Sequence, residues 1–193
     1  PTVLNIGCSD DPLHFGDGAR HVDIDDWSKY FKFFTQADAH ELPFADQSYD
    51  VVILGDIIEH ALNPDVMLKE AARVCSRLLV ATVFEEWKLP SGTGQHIEEA
   101  QMIADEESQK LGYLDGHDYQ LKNFPEMVLA DESKMPHLYH INQLSDEIVN
   151  MLFQTVAVDD GFTILEAGKA YEATFSDGHR MHNWLICMER VQA

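Results

Sequence analysis

Ala37–Val74 reads ADAHELPFADQSYDVVILGDIIEHALNPDVMLKEAARV, and within it Tyr49–Leu54 (YDVVIL) is a β-branched run that stops at Gly55. A run that is apolar at successive positions, rather than at alternate ones, needs cover on both faces, as a strand inside a parallel sheet does. Asn63 and Pro64 follow as an N-cap with proline at the first helical position, and Met67, Ala71 and Val74 share one face of the helix they open. The next run, Arg77–Phe84 (RLLVATVF), ends at Glu85. Strand, helix, strand is a crossover unit. Further out, Thr2–Ile6 (TVLNI) ends at Gly7 and His21–Ile24 (HVDI) ends in acids. Each strand hands over to a polar loop at its C-terminal end, so an α/β fold with a mostly parallel sheet between helices is expected.

Toward the C-terminus, Leu144, Ile148, Met151, Leu152 and Thr155 fall at i, i+4, i+7, i+8 and i+11, a helix with Asn142 as its expected cap. The runs Phe162–Phe175 and His182–Val191 flank Ser176–Arg180, where Asp177 and Gly178 signal a hairpin, so the chain is expected to end in an antiparallel pair. Between the halves, Glu86–Tyr139 loses apolar density and carries Pro90, Gly92, Gly94, Gly112, Gly116, Pro125 and Pro136. One helix is expected near His96–Leu111. Loops at the C-terminal edge of a parallel sheet line the ligand crevice, so 86–139 reads as a substrate cap inserted into a single domain spanning 1–193.

Composition removes partners. The chain of 193 residues has 34 acidic side chains against 13 basic ones, a formal charge of −21. Phosphate contacts need Lys or Arg that this surface mostly lacks, so nucleic acid and anionic membranes are not expected as partners. Cys8, Cys75 and Cys187 are too few and too scattered for a disulfide framework, and a reduced, cytoplasmic protein is expected. No apolar stretch approaches the roughly 20 residues of a membrane helix. Pro1 abuts the first apolar run directly, so upstream residues are expected to precede it.

The string Val3–Pro12 (VLNIGCSDDP) is a strand running into a glycine turn, where a missing side chain allows close approach to the backbone. Asp23 ends the next strand, and a carboxylate there can accept from both hydroxyls of a ribose; the plainer alternative is that Asp23 or Asp25 is a solvated turn residue. With HVDID and Ala37–Val74, this string resembles the class I S-adenosylmethionine-dependent methyltransferases, in the small-molecule branch of the type 11 kind. The resemblance implies a Rossmann-like, seven-stranded sheet ending in an antiparallel hairpin, with helices on both faces. It also implies that S-adenosyl-L-methionine is the cofactor and S-adenosyl-L-homocysteine the product. Residue by residue, it places Asn5, Gly7 and Cys8 at the methionine end of the cofactor. Asp23 and Ile24 fall at the ribose, Asp38 and Ala39 at adenine, and Gly55 and Asp56 at the transferable methyl. One departure stands out: Ser9 and Asp11 occupy positions where the family alternates glycines. The short span from Gly7 to Asp23 also leaves little room for a first crossover helix, so Leu13–Arg20 is expected as a turn or a degenerate helix.

Methyl transfer is an in-line displacement whose main demand is collinearity of nucleophile, carbon and sulfur. If the acceptor must lose a proton, histidine suits as base. Of ten histidines, His60 follows Glu59 just after the Tyr49–Leu54 strand, and His140 closes the cluster HLYH with His137 and Tyr139 at the end of the insertion. His60 and His140 are therefore the catalytic candidates. Glu59, Trp87, His137 and Tyr139 are the substrate candidates. Paired histidines near Asp118 and Asp177 could ligate metal, yet no spacing assembles three ligands, so no metal is expected. The expected activity is methyl transfer to a small-molecule acceptor, with a homodimer left open as the assembly. The alternative is a non-catalytic S-adenosylmethionine-binding subunit or sensor. A nicotinamide enzyme ranks below both, since no G-x-G-x-x-G turn is present to seat a pyrophosphate.

Overall fold

The computed structural model describes residues 1–9, 15–16, 18–61, 63–87, 144, 146–174 and 180–191. Parallel strands β1 (Val3–Ile6), β2 (Arg20–Asp23), β3 (Phe34–Gln36), β4 (Tyr49–Gly55) and β5 (Cys75–Trp87) are joined by the antiparallel pair β6 (Phe162–Thr174) and β7 (Arg180–Arg190). The sheet is seven-stranded in the order β3-β2-β1-β4-β5-β7-β6. The order turns back between β1 and β4, and the loops leaving those strands part there. That is where an open α/β sheet forms its ligand crevice.

Helix α1 (Pro64–Val74) forms where expected, with Pro64 at its start and Met67, Ala71 and Val74 buried. It runs straight into β5, whose first residue Cys75 also ends the helix. Alternate residues Val52, Leu54, Leu79, Ala81 and Val83 are buried in one core cluster with the inner face of α1, each valine or leucine side chain stabilising the fold by about 1.5–3 kcal/mol. Arg190 fastens the far end: its guanidinium donates to the carbonyls of Cys75 at 2.9 Å, Asp160 at 3.0 Å and Ala72 at 2.6 Å, and lies over the Phe162 ring.

Helix α2 (Asp146–Asp159) also forms, but it turns a different face inward. Val149, Phe153 and Val156 are buried, while Ile148 and Met151 are 38% and 59% exposed. The helix carries two apolar stripes one residue apart, and the one with the Phe153 ring buries more area. Leu144 is buried ahead of the helix, and Thr155 is exposed with its hydroxyl turned back onto the Met151 carbonyl. The expected cap Asn142 lies outside the described residues, as do the helix near His96–Leu111, nearly all of the 86–139 insertion, and Ser176–His179 of the hairpin turn.

Strand β3 is an addition to the sequence reading. It is reached from β2 through Ile24–Phe33, which contains turns and no helix. In place of a crossover helix, this connection lays Phe31, 5% exposed, on the His21 ring with centroids 4.0 Å apart. His21 in turn meets the Asn5 amide at 3.3 Å. Between β1 and β2, Phe15, Gly16, Gly18 and Ala19 are likewise non-helical, in keeping with the expected turn.

Candidate active site

The crevice is built from the C-terminal ends of β1, β2, β3 and β4. Gly7 leaves β1 with φ +71°, and the backbone N–H groups of Gly7 and Cys8 both donate to the Val22 carbonyl, at 2.8 and 3.2 Å. The room at its α-carbon goes to the protein itself. A methyl group there would collide with the Ile57 side chain, which arrives from the loop after β4. Ser9 follows with φ +45°, a left-handed conformation carried by a non-glycine residue. Its N–H donates to Asp23 Oδ2 at 2.8 Å, and the Asp25 N–H donates to Asp23 Oδ1 at 3.0 Å. Asp23 is thus the clasp that shapes the first loop. Each of its oxygens keeps acceptor capacity beyond these single bonds.

Next to it, the Ala37 N–H donates to the Asp23 carbonyl at 2.9 Å, which aligns the loop after β3 with the end of β2. Asp38 stands there half exposed. Its Oδ1 accepts from the His40 backbone N–H at 2.8 Å and from His40 Nδ1 at 2.7 Å. Partial burial raises the carboxyl, but the hydrogen bonds from the His40 backbone N–H and ring more than offset it and hold Asp38 below its ordinary value. Ala39 is buried, whereas Ile24 is 47% exposed at the rim and accepts the Gln36 amide on its carbonyl.

At the end of β4, Gly55 is exposed and Asp56 holds φ +48°. The Asp56 N–H donates to Thr82, and its Oδ1 accepts from Asn183 Nδ2 at 2.9 Å. Sequence reasoning missed Asn183: it lies on β7, far along the chain, and no local pattern marks it. Ser9 and Asp56, both at positive φ, follow the neighbouring strands β1 and β4 on either side of the switch point.

The other expected site residues divide. Asn5 is 5% exposed and Cys8 is 1% exposed. The Asn5 amide nitrogen meets His21 Nδ1 at 3.3 Å. Glu59 is fully buried in the 3₁₀ turn Ile58–His60, so it does not present its carboxylate to an acceptor from solvent. His60, half-buried, ends the same turn, with its N–H on the Ile57 carbonyl at 3.0 Å. Trp87 ends β5 opposite Arg180, but its side chain lies outside the described residues, as do His137, Tyr139 and His140 entirely. Among the described residues no cluster of His, Cys, Asp and Glu is arranged to hold a metal ion, and no helix is long and apolar enough to cross a membrane.

Residues 18–77 match the Methyltransf_11 family, described as a methyltransferase domain. The match begins beyond the glycine turn, where Ser9 departs from the family's pattern, and runs into β5. No curated protein sequence matches the chain significantly. Solved structures share its fold at low identity. A S-adenosylmethionine-dependent methyltransferase from Methanosarcina mazei is 15% identical over 100% of this chain and 93% of its own, with a TM-score of 0.55. Magnesium protoporphyrin IX methyltransferase from Synechocystis, solved with bound S-adenosylmethionine, is 13% identical over 98% and 69%, with a TM-score of 0.51. The 1,6-didemethyltoxoflavin N1-methyltransferase of Burkholderia thailandensis, solved with its acceptor and S-adenosylhomocysteine, is 11% identical over 99% and 71%, with a TM-score of 0.56. The family match over residues 18–77 and the shared fold agree with the geometry of the crevice: the chain has the fold of these S-adenosylmethionine-dependent methyltransferases.

Proposed function

We propose that this chain transfers a methyl group to a small-molecule acceptor by in-line displacement, with the acceptor entering beside Gly55, Asp56 and His60. One observation carries the reading: Asp23 and Asp38 project from the ends of neighbouring strands, with the exposed Ile24 beside them. These residues fit an adenosyl group. Asp23 has lone pairs left for two ribose hydroxyls, Ile24 offers an apolar surface to the base, and Asp38 Oδ2 is an acceptor for its amino group. S-adenosylmethionine, when bound, supplies the activated methyl. Asp56 is oriented by Asn183 and Thr82 at the edge where the acceptor approaches.

His60 is the proposed proton acceptor for the attacking group, and Trp87, His137, Tyr139 and His140 are proposed on the acceptor side of the pocket. A formal charge of −21 supports a small acceptor rather than nucleic acid, because phosphates would be repelled. The test is formation of S-adenosylhomocysteine when the protein is incubated with S-adenosylmethionine and a panel of small hydroxyl, amine and thiol acceptors. Turnover of at least one acceptor is expected. In that assay His60→Ala should lower kcat by about 10² or more while binding of S-adenosylhomocysteine survives; undiminished turnover would remove His60 as base.

A further inference from the structure

His40 lies outside every role assigned so far, yet its ring bridges two elements of the crevice. It sits two residues beyond Asp38, its side chain is 19% exposed, and both ring nitrogens have partners. Nε2 is 3.1 Å from the backbone nitrogen of Asn63, which can only donate. Nε2 must then be an acceptor, so the proton of the neutral ring resides on Nδ1 and points at Asp38 Oδ1, 2.7 Å away. The His40 backbone N–H takes the same oxygen. Among the described residues, no donor falls on Asp38 Oδ2.

We infer that His40 is a positioning residue for adenine recognition: it ties up one Asp38 oxygen from two sides so that the other alone is presented to the 6-amino group. The inference rests on reading the crevice as the S-adenosylmethionine site. The second anchor explains why a ring is used where a shorter side chain could reach Asp38. Asn63 immediately precedes α1, and its backbone N–H donates to Nε2. The bridge therefore fixes the loop after β3 against the entrance of α1, and Asp38 is tied through His40 to the start of that helix.

Binding titrations with two ligands decide the matter: S-adenosylhomocysteine, and S-inosylhomocysteine, which has a 6-oxo group where the amino donor would be. His40→Ala is expected to weaken S-adenosylhomocysteine binding about five- to tenfold, leaving S-inosylhomocysteine and the kcat at saturating S-adenosylmethionine within about twofold. His40→Asn, whose amide reaches Asp38 as Nδ1 does, should recover most of the loss. His40→Gln, which keeps the Asn63 contact but not that to Asp38, should behave like His40→Ala and serves if the alanine variant does not fold. Equal weakening of both ligands, or no weakening of either, would overturn the inference. Asp38→Asn separates the two levels: if it too leaves S-adenosylhomocysteine binding unchanged, the adenosyl reading of the crevice fails; if it weakens binding while the His40 variants do not, only the role of His40 fails.

Discussion

Ser9 holds φ at +45° with a side chain that makes this conformation costly, and it does so at a position where the family resemblance implies glycine. A non-glycine residue in the left-handed region costs on the order of 1 kcal/mol or more. What keeps it there is the bond from its N–H to Asp23 Oδ2. Ser9→Gly preserves that N–H and removes the steric cost, so it is expected to stabilise the protein by about 0.5–1 kcal/mol, read as a raised denaturant midpoint; Ser9→Ala should bring no gain. The same geometry changes how Asp23 must be tested. Alanine there would release the Ser9 and Asp25 amides as well as any ribose, confounding loop collapse with lost recognition. Asp23→Asn, which keeps one acceptor oxygen, is the better probe.

Among the elements, the loop Leu42–Asp46 shows why LPFADQSYDVV is so recognisable a string. Arg73, on the last turn of α1, donates to the carbonyls of Leu42 at 3.1 Å and Phe44 at 2.8 Å and to Asp46 Oδ1 at 2.8 Å. Glu70 grips Arg73 and accepts the Leu42 N–H, while the Gln47 N–H caps the Arg73 carbonyl. Helix and loop specify each other, and the loop carries the chain from Asp38 into β4. Arg73→Met should cost about 1–3 kcal/mol, measured by chemical denaturation. Arg73 also depresses the Glu70 carboxyl, first through its hydrogen bonds and with help from the Leu42 N–H, against the opposing effect of partial burial. A depressed carboxyl stabilises fully above its unfolded value, near ~4.3, and loses that contribution as pH falls through the lower folded value. The stability gap between the native chain and Glu70→Gln should therefore close in acid; a gap that stays constant to pH 3 would show that Glu70 acts by packing alone.

The same scale shows where sequence reading stops. YDVVIL, RLLVATVF and the Asn63–Pro64 helix start were legible because continuous apolar runs and a cap–proline pair leave few alternatives. Strand β3 was not, since Phe34–Gln36 is three residues long with a single apolar side chain. Helix α2 was found but rotated, because both stripes satisfy the same period. In the crevice, Asp23 was readable from its place at the end of a strand, whereas Asp38 and Asp56 were placed only by the resemblance. The Asp38–His40–Asn63 bridge and the Asp56–Asn183 bond join residues whose proximity exists only after folding. Asn5, read as part of the first strand and placed by the resemblance at the methionine end of the cofactor, is buried and meets His21.

For the whole molecule, a formal charge of −21 on 193 residues means that folding gathers like charges. Self-repulsion opposes the compact state and is screened by salt, with a Debye length of about 30 Å at 0.01 M and about 3 Å at 1 M. The melting temperature should rise steadily with sodium chloride across that range, and a flat response would mean that ion pairs such as Arg73–Asp46 offset the repulsion locally.

The helix-free path from β2 to β3 has a consequence for how the molecule breathes. On that flank, Phe31 stacked on His21 stands where a crossover helix would lay down a continuous strip of contacts, and β3 is both short and outermost. Local opening is cheapest where buried contacts are sparsest, so amide deuteration should reach Val22 and Thr35 well before Val52 and Leu79. Asp23 and Asp38, the carboxylates proposed for ribose and adenine, ride on this margin, and a bound nucleoside would act as its fastener, slowing exchange there more than anywhere else in the sheet.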